Sequence, residues 1–92
     1  SQGAAAYRDP PTARRVFDAL TDAMNDCAQT SFGRLYVGEV SAGPDTLRMR
    51  PGNDCGRDYR IKSVVLVEVT FCAFPESVPE IVLTNLLAKV PG

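Results

Sequence analysis

The chain contains no histidine and no tryptophan. Without an imidazole there is no ordinary Ser-His or Cys-His nucleophile pair, since both rely on that ring as the base. Zinc is argued against as well. The three cysteines, Cys27, Cys55 and Cys72, are too few for a structural site, and none sits in a C-x-x-C pair. No phosphate-cradling P-loop and no dinucleotide-binding glycine pattern occurs. Charge of one sign is also lacking: ten basic and eleven acidic residues leave a net charge of −1. No global field draws the chain toward nucleic acid or an anionic membrane, and no nucleic-acid partner is expected. No apolar run approaches the roughly 18 residues of a membrane span. Membrane association is therefore expected only through a lipid anchor or a span outside this chain. Together these absences nominate no catalytic residue, no metal and no cofactor.

What is present fits one folded domain. The length is 92 residues, with 45% hydrophobic and 23% charged residues, an ordinary globular composition. At this size the core is thin, so a disulfide or a partner chain would add noticeably to stability. Residues 1–11 read as a flexible tail ending at Pro10-Pro11, and residues 12–92 as a single α+β domain or half of a larger one. Thr12 is a plausible N-cap. From Ala13 onward, Val16, Phe17, Leu20, Met24, Cys27 and Ala28 recur at helical spacing. Asp18, Asp22 and Asp26 form a stripe on the other side. It reads as a solvated face rather than a cation site, and the helix dipole disfavours Asp22 and Asp26 where they stand.

The middle of the chain reads as strands. Residues 34–40 are expected to be extended, with Leu35 and Val37 on one side and Tyr36 on the other. After a turn at residues 41–45, Thr46 to Arg50 alternates, placing Leu47 and Met49 inward and Arg48 and Arg50 outward. A second turn covers residues 51–54. The strongest strand is the valine-rich segment Val64 to Phe71. Pairing it with residues 57–61 so that Ile61 opposes Val65 gathers Tyr59, Ile61, Val65, Val67 and Val69 on one face. That register brings Cys55 and Cys72 to the same open end, one residue out of step, so that a bulge or frayed end is needed to join them. Ser77-Val78-Pro79-Glu80 reads as a capping box opening a last helix through Ile81, Val82, Leu83, Leu86, Leu87 and Val90, stopped by Pro91-Gly92. The fold class is α+β: an antiparallel sheet flanked by an N-terminal and a C-terminal helix.

Two features point toward function. Arg48, Arg50, Arg57, Arg60 and Lys62 lie on neighbouring strands and turns, and the arginine fork suits carboxylates and phosphates. The ordinary reading is a solvated sheet face balanced by Asp45, Asp54 and Asp58. The alternative is a ligand groove, for which Arg48, Arg50, Arg57 and Tyr59 are the candidates. Tyr36 and Tyr59 otherwise belong at the edge of the core. Spacing alone leaves the cysteines open, either as three buried thiols or as one disulfide with an odd cysteine.

The order of features resembles the C-terminal half of the PknH-type extracellular sensor domain, found on a mycobacterial Ser/Thr kinase and on related mycobacterial lipoproteins. The resemblance runs over residues 7–91. It is carried by the helix ending Cys27-Ala28, then Cys55-Gly56-Arg57, then Val64-Val65-Leu66-Val67-Glu68-Val69 leading to Cys72, and the closing Leu87-Ala88-Lys89-Val90-Pro91. It implies an extracytoplasmic, non-catalytic α+β domain with a cleft and two disulfides, engaged in ligand sensing or cell-envelope interaction. Position by position, Cys55 and Cys72 match the late disulfide pair. Cys27 matches a helix cysteine whose usual partner lies in an earlier half. That leaves Cys27 unpaired or intermolecular, and a homodimer or pairing with a missing N-terminal half is expected. The tryptophan often found just before that cysteine is replaced here by Asn25 and Asp26. A binding module for an unknown small ligand or envelope component is the leading function. A structural domain that only pairs with another chain is the second, and a cytosolic thiol protein or enzyme the third.

Overall fold

The computed structural model describes residues 1–52, 54–73 and 75–91. The chain runs β1 (Gln2–Ala6), α1 (Pro10–Ala28), α2 (Ser31–Val37), β2 (Glu39–Ala42), β3 (Thr46–Arg50), β4 (Cys55–Lys62), β5 (Val65–Cys72) and α3 (Ser77–Leu87). The strands form one antiparallel sheet in the order β1-β5-β4-β3-β2. Helix α1 packs on one face and α3 on the other, which is the expected α+β arrangement.

Each face has its own core. On the α1 side Ala13 and Phe17 meet Leu47, Ile61 and Leu66, with Leu20, Met24 and Tyr59 at the margin. On the α3 side Val67, Val69 and Phe71 of β5 meet Leu83, with Val82, Leu86 and Leu87 half-buried around them. Burying each of these larger side chains contributes roughly 1.5–3 kcal/mol against the entropy of ordering the chain.

Several local expectations are corrected. The segment read as a tail supplies β1, which pairs Ala4 with Val67 on the sheet edge. Helix α1 begins at Pro10 rather than after Thr12. Asp9 is its cap, accepting a hydrogen bond from the Thr12 amide at 2.8 Å. The two prolines occupy the first turn, where no amide hydrogen is needed. Of residues 34–40, expected to be a strand, 34–37 belong to the helix α2 and only 39 and 40 are extended, in β2. Thr30 caps α2 by accepting from the Gly33 amide at 2.8 Å. Gly38, at φ 63°, ends α2 by turning the chain into β2.

The β4–β5 register is one residue away from the expected one. Lys62 opposes Val65, with Ser63 and Val64 as a two-residue turn, and Ile61 therefore opposes Leu66. A slip of one residue moves a strand's side chains to the opposite face. Tyr59 and Ile61 thus share the α1 face with Leu66, while Val65, Val67 and Val69 face α3. The same shift sets Cys55 directly opposite Cys72, and no bulge is needed.

At the last helix, Glu76 rather than Ser77 holds the cap position, and no side chain caps the turn. Glu80 accepts a hydrogen bond from Arg60 of β4, on the sheet face beneath α3, instead of closing a capping box. The helix stops at Leu87, before Val90. Asn53 of the expected 51–54 turn and Gly92 of the expected stop lie outside the described residues.

Candidate functional site

Strand pairing decides where the candidate arginines point. Arg48 opposes Asp58, and Asp58 opposes Val69, so Arg48, Arg50 and Asp58 share the α3 face. Arg57 and Tyr59 project from the other face, toward α1 and α2. The structure therefore does not bring the four groove candidates together. It divides them into two pairs on opposite sides of the sheet.

The α3 side is a closed ionic network. Asp58 is 2% exposed. It accepts from Arg50 Nη1 at 2.6 Å and Nη2 at 3.3 Å, with Arg48 Nε at 3.7 Å. Arg50 also donates through Nε and Nη2 to both oxygens of Glu76, at 3.1 and 2.8 Å. Its guanidinium lies 4.9 Å from the centroid of the Phe71 ring. Arg60 pairs with Glu80. Lys62 donates to the Leu87 carbonyl at 3.1 Å, at the negative end of α3. The hydrogen bonds from Arg50 hold the Glu76 carboxyl below its ordinary value, and those from Arg60 do the same for Glu80. Bonding to Glu76 and Asp58 pushes the Arg50 pKa up in turn, against its partial burial. Among the described residues no buried side-chain polar atom lacks a partner. These arginines fasten α3 to the sheet.

Arg57 is in a different state. Its Nε donates to Thr70 Oγ1 at 3.2 Å, and Thr70 Oγ1 donates to Glu68 Oε1 at 2.5 Å. No carboxylate among the described residues makes an ion pair with it, in contrast to Arg48, Arg50 and Arg60. Arg57 stands at a cavity of about 270 Å³ lined by Met24, Tyr36, Val37, Met49 and Thr70, with the Cys55 end of β4 as one wall. Tyr59, one of the four candidates, packs into the α1-side core instead.

Helix α2 forms the roof of this cavity. It rests on α1 through a close approach at Gly33, where a Cβ would stand 2.1 Å from the Cys27 carbonyl oxygen and 2.6 Å from Cys27 Sγ. Phe32 and Leu35 of α2 are 70% and 73% exposed, and Tyr36, at the edge of the cavity, is 68% exposed. The Phe32 and Tyr36 ring centroids are 5.2 Å apart. Cys55, on the cavity's wall, is joined to Cys72 by a disulfide, while Cys27 is a free, half-buried thiol. Asp18, Asp22 and Asp26 are all exposed on α1. Among the described residues no three His, Cys, Asp or Glu side chains converge.

Sequence reading missed Met24, Met49 and Thr70 as cavity residues, and Glu76 and Glu80 as the acids that neutralise the other arginines. The correct β4 parity would have placed Asp58 and Arg60 on the Arg48 and Arg50 face, but Glu76 and Glu80 reach that face only through tertiary packing. No sequence signal marks the two methionines, whose residue type is common in cores.

Among the described residues no helix is long and apolar enough to cross a membrane. No curated protein and no solved structure matches the chain. The family model of the PknH-like extracellular domain matches residues 1–88. The match begins with β1, ahead of the stretch that carries the resemblance in the sequence. A cross-strand disulfide suits such a location, and with the family it favours an extracytoplasmic setting. With nearly the whole chain matched, the chain is a member of the PknH-like extracellular domain family.

Proposed function

We propose that this chain is a non-catalytic sensing module of the cell envelope, and that it binds a small ligand or envelope component in the cavity under α2. One observation carries this reading. Arg57 is the one sheet arginine without a carboxylate partner among the described residues, and it opens onto a cavity walled by Met24, Tyr36 and Met49. A hollow that sets apolar walls beside a few directed polar groups is a usual form of a ligand site, and here apolar and polar groups share the lining about equally. Two other hollows are larger, at about 530 and 490 Å³, but their arginines are already paired: Arg50 with Glu76 and Arg14 with Asp45. A fragment library screened by amide NMR tests the proposal. Hits are expected to cluster on Met24, Tyr36, Met49, Arg57 and Thr70. Shifts scattered over the surface would remove the cavity from consideration.

A second reading, a domain whose role is pairing with another chain, is supported by the exposed Phe32, Leu35 and Tyr36 of α2. Contiguous apolar surface of this kind marks interfaces. A homodimer, or pairing with an N-terminal half, predicts a mass above one chain in sedimentation at micromolar concentration. A monomer at every concentration would end the homodimer form of this reading.

A further inference from the structure

We infer that the cavity under α2 takes an amphiphilic anion, with a carboxylate or phosphate group on Arg57 and an apolar body along Met24, Tyr36 and Met49. This rests on the proposal that the cavity is a binding site, and it specifies what binds there. The head-group half follows from how Arg57 is held. Thr70 accepts its Nε hydrogen, and Glu68 in turn accepts the Thr70 hydroxyl, so the guanidinium is oriented from behind. Both terminal nitrogens then have no partner among the described residues. Four N–H groups in a planar fork match two oxygens of a carboxylate or phosphate. Glu68 stands behind Thr70 and makes no ion pair with Arg57, so no carboxylate among the described residues occupies the terminal nitrogens.

The apolar half follows from the walls. Two methionines and a tyrosine ring line the hollow, and thioethers adapt to apolar groups of varied shape. The Phe32 ring, 5.2 Å from Tyr36, carries the apolar surface outward along α2. An inorganic anion would use Arg57 alone, in contact with water, and bind weakly. A neutral hydrocarbon would cover the walls and leave the guanidinium unpaired. Only a molecule with both parts uses the whole site.

Titration of the ¹⁵N-labelled protein with octyl phosphate, octanoate, octanol and inorganic phosphate tests this. Octyl phosphate and octanoate are expected to shift the Met24, Tyr36, Met49, Arg57 and Thr70 amides and to bind about tenfold or more tightly than octanol or phosphate. Arg57→Ala is expected to erase that advantage, whereas Arg15→Ala, which removes an exposed arginine of α1, leaves it intact. Co-sedimentation with phosphatidylglycerol vesicles would assign the anion to a lipid head group. Binding of the monomeric amphiphiles without vesicle binding would assign it to a free molecule. Octanol binding as tightly as octyl phosphate would overturn the anionic class while leaving the cavity as a site. No shift at the cavity with any of the four probes would overturn the cavity itself.

Discussion

The two faces of the sheet hold arginines in opposite states. Toward α3, Arg48, Arg50 and Arg60 meet Asp58, Glu76 and Glu80, and their charge is cancelled within the fold. Toward α2, Arg57 meets a neutral hydroxyl, with the Glu68 carboxylate one hydrogen bond further on, and makes no ion pair among the described residues. Arg50, whose donors are all taken by Asp58, Glu76 and the Met49 carbonyl, acts as a fastener. A guanidinium held by a single neutral acceptor has donors left for something else. The number of arginines on a sheet therefore says little about a binding site. What counts is the charge that remains after the fold has made its own pairs.

The largest expected effect falls on the end of the sheet that both faces share. Cys55 and Cys72 close a loop with a sequence separation of 17. Reducing that bond should cost about 3 kcal/mol in the chain-entropy account. Urea denaturation with and without reductant measures it, and an unmoved midpoint would show that the bond does not brace the β4–β5 hairpin. Next in size is Asp58→Ala. Breaking a fully buried ion pair typically costs about 3–5 kcal/mol. Arg50 is only partly buried and retains Glu76, so about 2–3 kcal/mol is expected here. A loss no larger than that of an exposed aspartate such as Asp22 would mean that the α3 side is not the fastened face.

A smaller effect separates the faces by pH. Glu76 and Glu80 titrate below their ordinary value of 4.5 in the folded protein, because Arg50 and Arg60 hydrogen-bond their charged forms. Groups with depressed folded pKa values add stability that is fully present above the unfolded value. That contribution is lost as the pH falls through the folded one. Stability should therefore decline once the pH drops below 4.5. Both carboxylates are largely exposed, so each pair is worth at most about 1 kcal/mol. Asp9, lowered by its bonds to Thr12, adds to the acid sensitivity from the α1 side. The double variant Glu76→Gln/Glu80→Gln should flatten the acid limb without removing it. An unchanged limb would place the acid-labile contacts elsewhere than under α3.

How much of this was legible in the sequence depended on which signals were local. The alternation of Leu47 and Met49 with Arg48 and Arg50 placed β3 correctly, because period two is a direct consequence of the pleat. Residues 34–40 carry the same kind of alternation, yet Thr30 and Gly38 close 31–37 into a helix, and capping outweighed the pattern. The hairpin register turned on Ser63, which adopts φ 55° in a two-residue turn. Such turns ordinarily carry Gly or Asn, so the sequence offered little warning. With that register missed, Arg57 and Tyr59 were grouped with Arg48 and Arg50, although the pleat sends them apart. The disulfide was legible in spite of the slip, since its cysteines end neighbouring strands in either register. Ser77 and Glu80 formed a good capping box in sequence, but Arg60, three strand positions from Arg57, took the glutamate. That competition is tertiary and has no local sign.

The smallest expected effect tests the comparison most directly, because it is predicted to be close to nothing. Arg57→Ala removes one exposed hydrogen bond to Thr70 and no ion pair. Thr70 keeps Glu68 as its partner, so no buried polar group is stranded. The change in unfolding free energy should lie within about 0.5 kcal/mol, the range of an ordinary surface substitution. Arg50→Ala in the same background is the contrast. It leaves the buried Asp58 with Arg48 alone, at 3.7 Å, and removes both bonds to Glu76. An under-satisfied buried carboxylate is costly, so the loss there should be several times larger. Two parallel denaturation curves decide the matter. If Arg57→Ala moved the midpoint as far as Arg50→Ala, Arg57 would be a fastener like the others, and the cavity under α2 would lose the cation that makes it a site. A flat response in stability, joined to a lost preference for anionic over neutral amphiphiles, would separate holding the fold from holding a ligand at one residue.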